Sequence, residues 1–189
     1  MDFLKNRKTA VAVFVAVVIV FSLIGCHISL SRACKQVEDA FFDKSLLQAD
    51  GYYTCPGDQL DHCVKLANRL MSVIGGEGEW DEAYADLSRT RQALVYALES
   101  RDIPRIFEAN TLLMDAVAAA QDVKDSGVAL PGSNDDFDAI VADFWSAQAV
   151  AADPAYNNHV QAFIDGTLRV FPTNILRRLS FVSLPDAYR

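Results

Sequence analysis

The run Leu23-Ile24-Gly25-Cys26 is where residue type and spacing come nearest to naming a reaction. It has the form of a bacterial lipobox, in which the Cys26 thiol takes a lipid and becomes the mature N-terminus. Lys5, Arg7 and Lys8, ahead of an apolar stretch over residues 9–22, fit the signal peptide such a site requires. The competing reading makes Cys26 a small residue near the outer end of a membrane helix, and the length of the apolar segment favours that reading. Cys55 and Cys63 are a second candidate pair. In an oxidising compartment they could close a small disulfide loop, or they could join Asp58 and His62 as metal ligands. The paired short spacings of a structural zinc site are missing, and Cys63 lies on an apolar stripe where a thiol ordinarily packs.

Other polar clusters read as structural. Asn134-Asp135-Asp136-Phe137-Asp138 has the carboxylates of a calcium loop but not the Gly and Glu of an EF-hand, and Phe137 belongs to an apolar stripe. Ser133 with Asp136 reads as a capping box, and acids in a first turn complement the helix dipole. Gly75-Gly76-Glu77-Gly78 follows a helical pattern and lacks the Lys-Ser/Thr of a phosphate loop. His27, His62 and His159 stand at no catalytic spacing, and no Ser or Cys occupies a nucleophile elbow. The chain therefore reads as non-enzymatic, with no cofactor and no metal expected. Tyr156, Asn157 and Asn174 read as a buried hydroxyl and amides that satisfy loop or helix-end groups, the alternative being a polar recognition patch near a membrane.

The elements that hold these residues begin with an anchor. Residues 9–31 carry no formal charge, and about 20 apolar residues suffice for a helix to cross a ~30 Å hydrocarbon core. Lys5, Arg7 and Lys8 outweigh Asp2 before the segment, whereas Glu38, Asp39 and Asp43 follow Arg32 and Lys35. The positive-inside rule then leaves residues 1–8 as a short cytoplasmic tail and puts the rest of the chain outside. If Cys26 is lipidated instead, the leader ends at residue 25. Both routes tether the domain to the cell membrane, so the lipid bilayer is its first partner.

Everything downstream has helical periodicity. Leu30, Cys34, Val37 and Phe41 continue one stripe out of the membrane, which predicts a single rod ending near Leu47. Asp50-Gly51 and Pro56-Gly57 mark a turn. Leu60, Cys63, Val64, Ala67, Leu70, Met71 and Ile74 follow the 3–4 spacing of a helix with one buried face. Gly75 to Gly78 interrupt or bend that helix, and the stripe resumes with Trp80, Ala83, Tyr84, Leu87, Leu94 and Leu98. Asp102 is a good N-cap with Pro104 in the first turn. Ile103, Ile106, Phe107, Asn110, Leu113, Met114 and Val117 form the next stripe. Phe137, Ile140, Val141, Phe144, Gln148 and Ala151 open the last long helix, which must kink or restart at Asp153-Pro154. Its stripe then shifts to Tyr156, Val160, Phe163, Thr167 and Phe171. The fold expected is all-α: a transmembrane helix, then an elongated antiparallel four-helix bundle over residues 32–181, its last helix kinked near Pro154, and a tail over 182–189.

Charge narrows the partners. Removing Asp2, Lys5, Arg7 and Lys8 from the 17 basic and 25 acidic residues leaves 14 and 24, a net −10. Such a surface repels nucleic acid, which is excluded as a partner. The C-terminal end is the exception, because Arg169, Arg177 and Arg178 cluster there. In an up-down bundle that end returns to the membrane, so these arginines are candidates for contact with the membrane surface.

One stretch resembles a known family. Tyr156-Asn157-Asn158-His159-Val160, then Phe163, Leu168, Phe171-Pro172, Asn174-Ile175-Leu176 and Phe181, is similar to the C-terminal signature of LemA family proteins. The motif positions are Tyr156, Asn157, Val160, Phe163, Phe171, Pro172 and Asn174. The chain departs from the family at Phe163-Ile164, at Pro154, and in lacking the Arg-rich entry to helix two. The resemblance implies an N-terminally anchored bacterial protein with a mostly four-helix bundle and no enzymatic residues. The expectation is a scaffold or modulator of membrane or envelope partners of unknown identity. A bundle that holds a small ligand or metal between its helices is the alternative.

Overall fold

The four long helices after the N-terminal one each hide a stripe of small and apolar side chains, and the short loops between them bring neighbouring helices over it. The computed structural model describes residues 7–47 and 54–189; the predicted turn at Asp50-Gly51 and most of the short N-terminal tail lie outside them. Among the described residues the chain is all helical, with no strand. Helix α1 spans Arg7–Asp39, α2 Pro56–Ile74, α3 Asp81–Ser100, α4 Ile103–Asp125, α5 Asn134–Ala151, α6 Ala155–Phe163 and α7 Thr173–Leu179. The chain divides into two compact units. One comprises Met1–Asp39 with His159–Pro185, the other Ala40–Asn158 with Asp186–Arg189.

The second unit is the bundle, built from α2, α3, α4 and α5. Its helix ends are set by local chemistry. The Asp102 carboxylate accepts from the Arg105 amide at 3.2 Å to start α4, with Pro104 in the first turn where a missing N–H costs nothing. The Ser133 hydroxyl accepts from the Asp136 amide at 3.3 Å to start α5, so the acidic run there opens a helix. Gly75 ends α2 with φ 62°, and its N–H bonds the Met71 carbonyl. The sequence allowed a bend at this point. The chain instead reverses, and α2 and α3 pack as an antiparallel pair. A Cβ on Gly76 would lie 3.2 Å from the Tyr84 ring, so the reversal is tight. The four helices of the bundle are therefore α2 to α5, whereas α1 belongs to the other unit.

All seven predicted stripe residues of α2 are buried, as are all six of α5. Burying a Leu or Phe side chain is worth roughly 1.5–3 kcal/mol, which makes these two faces the main source of cohesion. Trp80 seals one end, its indole N–H donating to the Ala129 carbonyl at 3.0 Å while its ring packs on Phe137. At the other end a Cβ on Gly57 would stand 2.9 Å from the Phe41 carbonyl oxygen, and the Gly57 N–H donates to that same oxygen. The Pro56-Gly57 pair is thus the buried first turn of α2.

The stripe expected after Pro154 needs correcting. A new helix does start there, the Asp153 carboxylate accepting from the Ala155 amide at 2.8 Å. Yet the buried residues are Tyr156, Val160, Ile164 and Leu168, while Phe163 is half-buried and Thr167 and Phe171 are exposed. Residues Ile164–Leu168 form a π turn, closed by the Arg169 amide on the Ile164 carbonyl. The wider turn lets a four-residue step come round to the same face.

In the first unit α1 is one continuous helix, ending eight residues before the expected Leu47. Its Thr9–Asp39 portion is long and apolar enough to cross a membrane, and its most apolar window is wholly unburied. Helix α7 packs against it.

Candidate functional site

Two stripe residues of α4, Phe107 and Met114, escape full burial, and they flank the one polar member of that stripe, Asn110. Together with Thr111, Trp145, Gln148 and Tyr188 they line an open cavity of about 460 Å³ in the bundle unit. The floor is a hydrogen-bonded polar set. The Asn110 amide nitrogen donates to Gln148 Oε1 at 2.9 Å and to Tyr188 Oη at 2.8 Å, and Gln148 Nε2 donates back to Asn110 Oδ1 at 2.8 Å. An amide pair of this kind satisfies both partners inside a core, where an unpaired amide would cost about 1–3 kcal/mol.

The wall contributed by Tyr188 comes from the C-terminal tail, which the sequence left as an unassigned extension. Asn157 holds its backbone on both sides: the Tyr188 N–H donates to Asn157 Oδ1 at 2.9 Å, and Asn157 Nδ2 donates to the Tyr188 carbonyl at 3.0 Å. The Tyr156 hydroxyl donates to the Asp186 carbonyl at 2.6 Å. The Tyr188 ring lies between Phe41 and Phe107, each 5.3 Å away between centroids. The last four residues, Asp186–Arg189, are thus an integral wall of the bundle unit.

Two titratable groups lie in or beside this polar set. Burial is the main reason that the Tyr188 phenol is pushed up to about 12, only partly offset by the Asn110 bond. Burial likewise pushes the Cys63 thiol to about 12. Near neutral pH both are protonated, far from the range in which a general base or a thiolate nucleophile works. What the site offers is a broad apolar surface over neutral amide and phenol groups, within the size range of small-molecule pockets.

No family model, curated protein or solved structure matches this chain. The site therefore stands on its geometry.

The sequence candidates fall in three places. Tyr156 and Asn157 meet the tail beside the cavity, and Val160 is buried. Phe163, Phe171, Pro172 and Asn174 belong to the other unit; Phe171 and Pro172 are exposed there and Asn174 is half-buried. Cys26 lies half-buried on α1. Cys55 and Cys63 are buried free thiols. Among the described residues no group of three or more His, Cys, Asp or Glu could hold a metal ion. The three arginines do not act alike. Arg169 pairs with Asp165 at 2.6 Å, Arg177 donates to the Val182 carbonyl at 3.2 Å, and Arg178 is exposed. Asn110 and Gln148 were visible as polar members of apolar stripes. Tyr188 gave no signal, because it sits in an eight-residue tail with no periodicity to read.

Proposed function

We propose that this chain is a membrane-tethered, non-enzymatic helical-bundle protein of LemA-like character that scaffolds or modulates other proteins of a bacterial envelope. The observation that carries the reading is α1: an apolar helix of membrane-crossing length, unburied where it is most apolar, in the same chain as a closed four-helix core. The basic residues ahead of the span support placing the bundle outside the cytoplasm. Lipidation of Cys26 is the other route to the same tether. Crosslinking in native membranes, followed by purification of the full chain, tests the proposal. Recurrent recovery of the same membrane proteins supports it, and recovery of the chain alone in every membrane preparation removes the scaffold role.

The cavity at Asn110 favours a second reading, in which the bundle binds a small, largely apolar ligand. Native mass spectrometry of the full chain should then show a stoichiometric adduct. Thr111→Trp, an exposed substitution that fills the cavity mouth, should abolish it.

A further inference from the structure

We infer that α7 and the turn after it form a lipid-embedded shoulder on the anchor, with Phe171, Ile175, Leu179 and Phe181 in the headgroup–acyl boundary. The inference rests on α1 crossing the membrane, and it goes beyond contact by surface arginines.

Depth is the first argument. Along α1 the side chains of residues 11–22 are bare, and partial cover begins at Leu23 and Cys26. Twelve residues of helix make only about 18 Å, far less than the ~30 Å of a hydrocarbon core. Counted from Thr9, a span of about 20 residues ends near Ile28. The bilayer must therefore reach the level at which α7 packs. Two contacts fix that level. His27 Nδ1 lies 2.7 Å from the Ser180 carbonyl oxygen, so that nitrogen carries the proton and donates, and the Cys34 thiol reaches the Ser183 carbonyl at 3.7 Å. The chain from Ser180 to Ser183 runs alongside α1 from His27 to Cys34.

What this segment turns outward is the second argument. Phe181 is 89% exposed and Phe171 75%, and Val170, Ile175, Leu179 and Leu184 are exposed as well, while Ser180 and Val182 are buried. Six large apolar side chains displayed within fifteen residues are a patch that water does not favour. Phe181 also has φ 56°, a conformation that a bulky aromatic residue rarely adopts. That conformation closes α7: the Val182 N–H donates to the Arg177 carbonyl at 3.1 Å and the Phe181 N–H to the Arg178 carbonyl at 3.4 Å, and the turn leaves the ring facing out.

Charge selects lipid as the occupant. Between Asp165, which pairs with Arg169, and Asp186 the chain carries Arg177 and Arg178 and no acidic residue, although its net charge is −8. Apolar and aromatic side chains on one side with basic ones nearby are the composition of an interfacial segment.

The test uses the full chain in phosphatidylcholine–phosphatidylglycerol vesicles, with p-acetylphenylalanine replacing Val18, Phe171 or Phe181 and carrying a nitroxide. All three labels should collide with oxygen and be shielded from a water-soluble nickel complex, with Phe171 and Phe181 shallower than Val18. Val18 embedded while Phe171 and Phe181 stay open to nickel would overturn the shoulder and leave the anchor standing. Val18 open to nickel would remove the anchor, and the shoulder with it. Shielding of Phe171 and Phe181 from both reagents would mean that protein covers them, which also overturns the inference. Leu179→Asp with Phe181→Asp should expose a label at Phe171 to nickel without moving Val18; unchanged shielding at Phe171 would contradict lipid insertion.

Discussion

Helices α2 and α7 use the same vocabulary, leucine, isoleucine and arginine, to opposite ends. In α2, Leu60, Leu70 and Ile74 come round every third or fourth residue to one face, and neighbouring helices cover all of it. In α7, Ile175 and Leu179 are spaced just as regularly but stay 48% and 54% exposed. The bundle closes its own core, so its stability should respond to mutation like that of any soluble domain. The unit that contains α1 leaves an apolar face open, so its folding and position should depend on the medium around it. Sequence periodicity tells which residues share a face; what covers that face is a tertiary fact.

The sharpest way to break this contrast is to charge one residue in each region. Leu70→Asp puts an unpaired carboxylate in the bundle core and should cost more than about 4 kcal/mol, enough to unfold many domains. Lys65→Ala, on the outer face of the same helix beside Asp61, should leave the urea midpoint in place. Leu179→Asp should leave it in place too, because that residue is exposed. A Leu179→Asp midpoint that falls as far as that of Leu70→Asp would erase the distinction between the two regions.

The next effect concerns the tail. Tyr188→Ala removes a buried ring that touches Phe41 and Phe107 and should destabilise the bundle by about 3 kcal/mol, as buried aromatic truncations do. Asn110→Ala should cost about 1–3 kcal/mol by stranding the Gln148 amide, whereas Asn110→Leu with Gln148→Leu should recover much of that. Full additivity of the two Leu substitutions in denaturant unfolding would show that the amides do not act as a pair.

How much of this was legible follows from those residues. The α2 and α5 stripes, the caps at Asp102 and Ser133, and the restart after Pro154 are local chemistry, and the sequence carries them. The reversal at Gly75 was ambiguous, because the same glycines serve a bend or a hairpin until Tyr84 is seen packed beside them. The continuation of the buried stripe from Ile164 to Leu168 runs through a π turn, which has no composition of its own. Asn110 and Gln148 could be picked out as polar residues on buried faces, but their union with Tyr188 needed the tail's path. The open face of α7 could be noticed as Leu176, Leu179 and Phe181 near arginines, though not which of them would be covered.

A pH titration probes the bundle with a smaller effect. The Tyr188 phenol and the Cys63 thiol both hold their protons more tightly folded than unfolded, with ordinary values of 10.0 and 9.0 raised to about 12. Below pH 9 both states are protonated and the full stability is present. Between pH 9 and 12 the unfolded chain releases these protons first, so stability falls as pH rises. Cys63→Ala and Tyr188→Phe should each flatten that fall, measured as the urea midpoint against pH. An unchanged slope in both would mean that other groups govern alkaline unfolding.

The smallest effect separates the arginines of the unit that contains α1. Arg169 has its charge matched by Asp165 one turn earlier, and Arg177 spends a donor on the Val182 carbonyl, which leaves Arg178 as the exposed guanidinium best placed to meet a headgroup. A basic side chain near an anionic surface contributes about 1 kcal/mol, roughly a fivefold preference. Phosphatidylglycerol enrichment among the lipids that co-purify with the full chain should therefore drop by up to about fivefold in Arg178→Ala and by less in Arg169→Ala. The apolar shoulder should stay embedded in both, since its nitroxide depth depends on Phe171 and Phe181. If Arg169→Ala loses as much enrichment as Arg178→Ala, then Asp165 does not neutralise Arg169 at the membrane, and the arginines act as one diffuse patch.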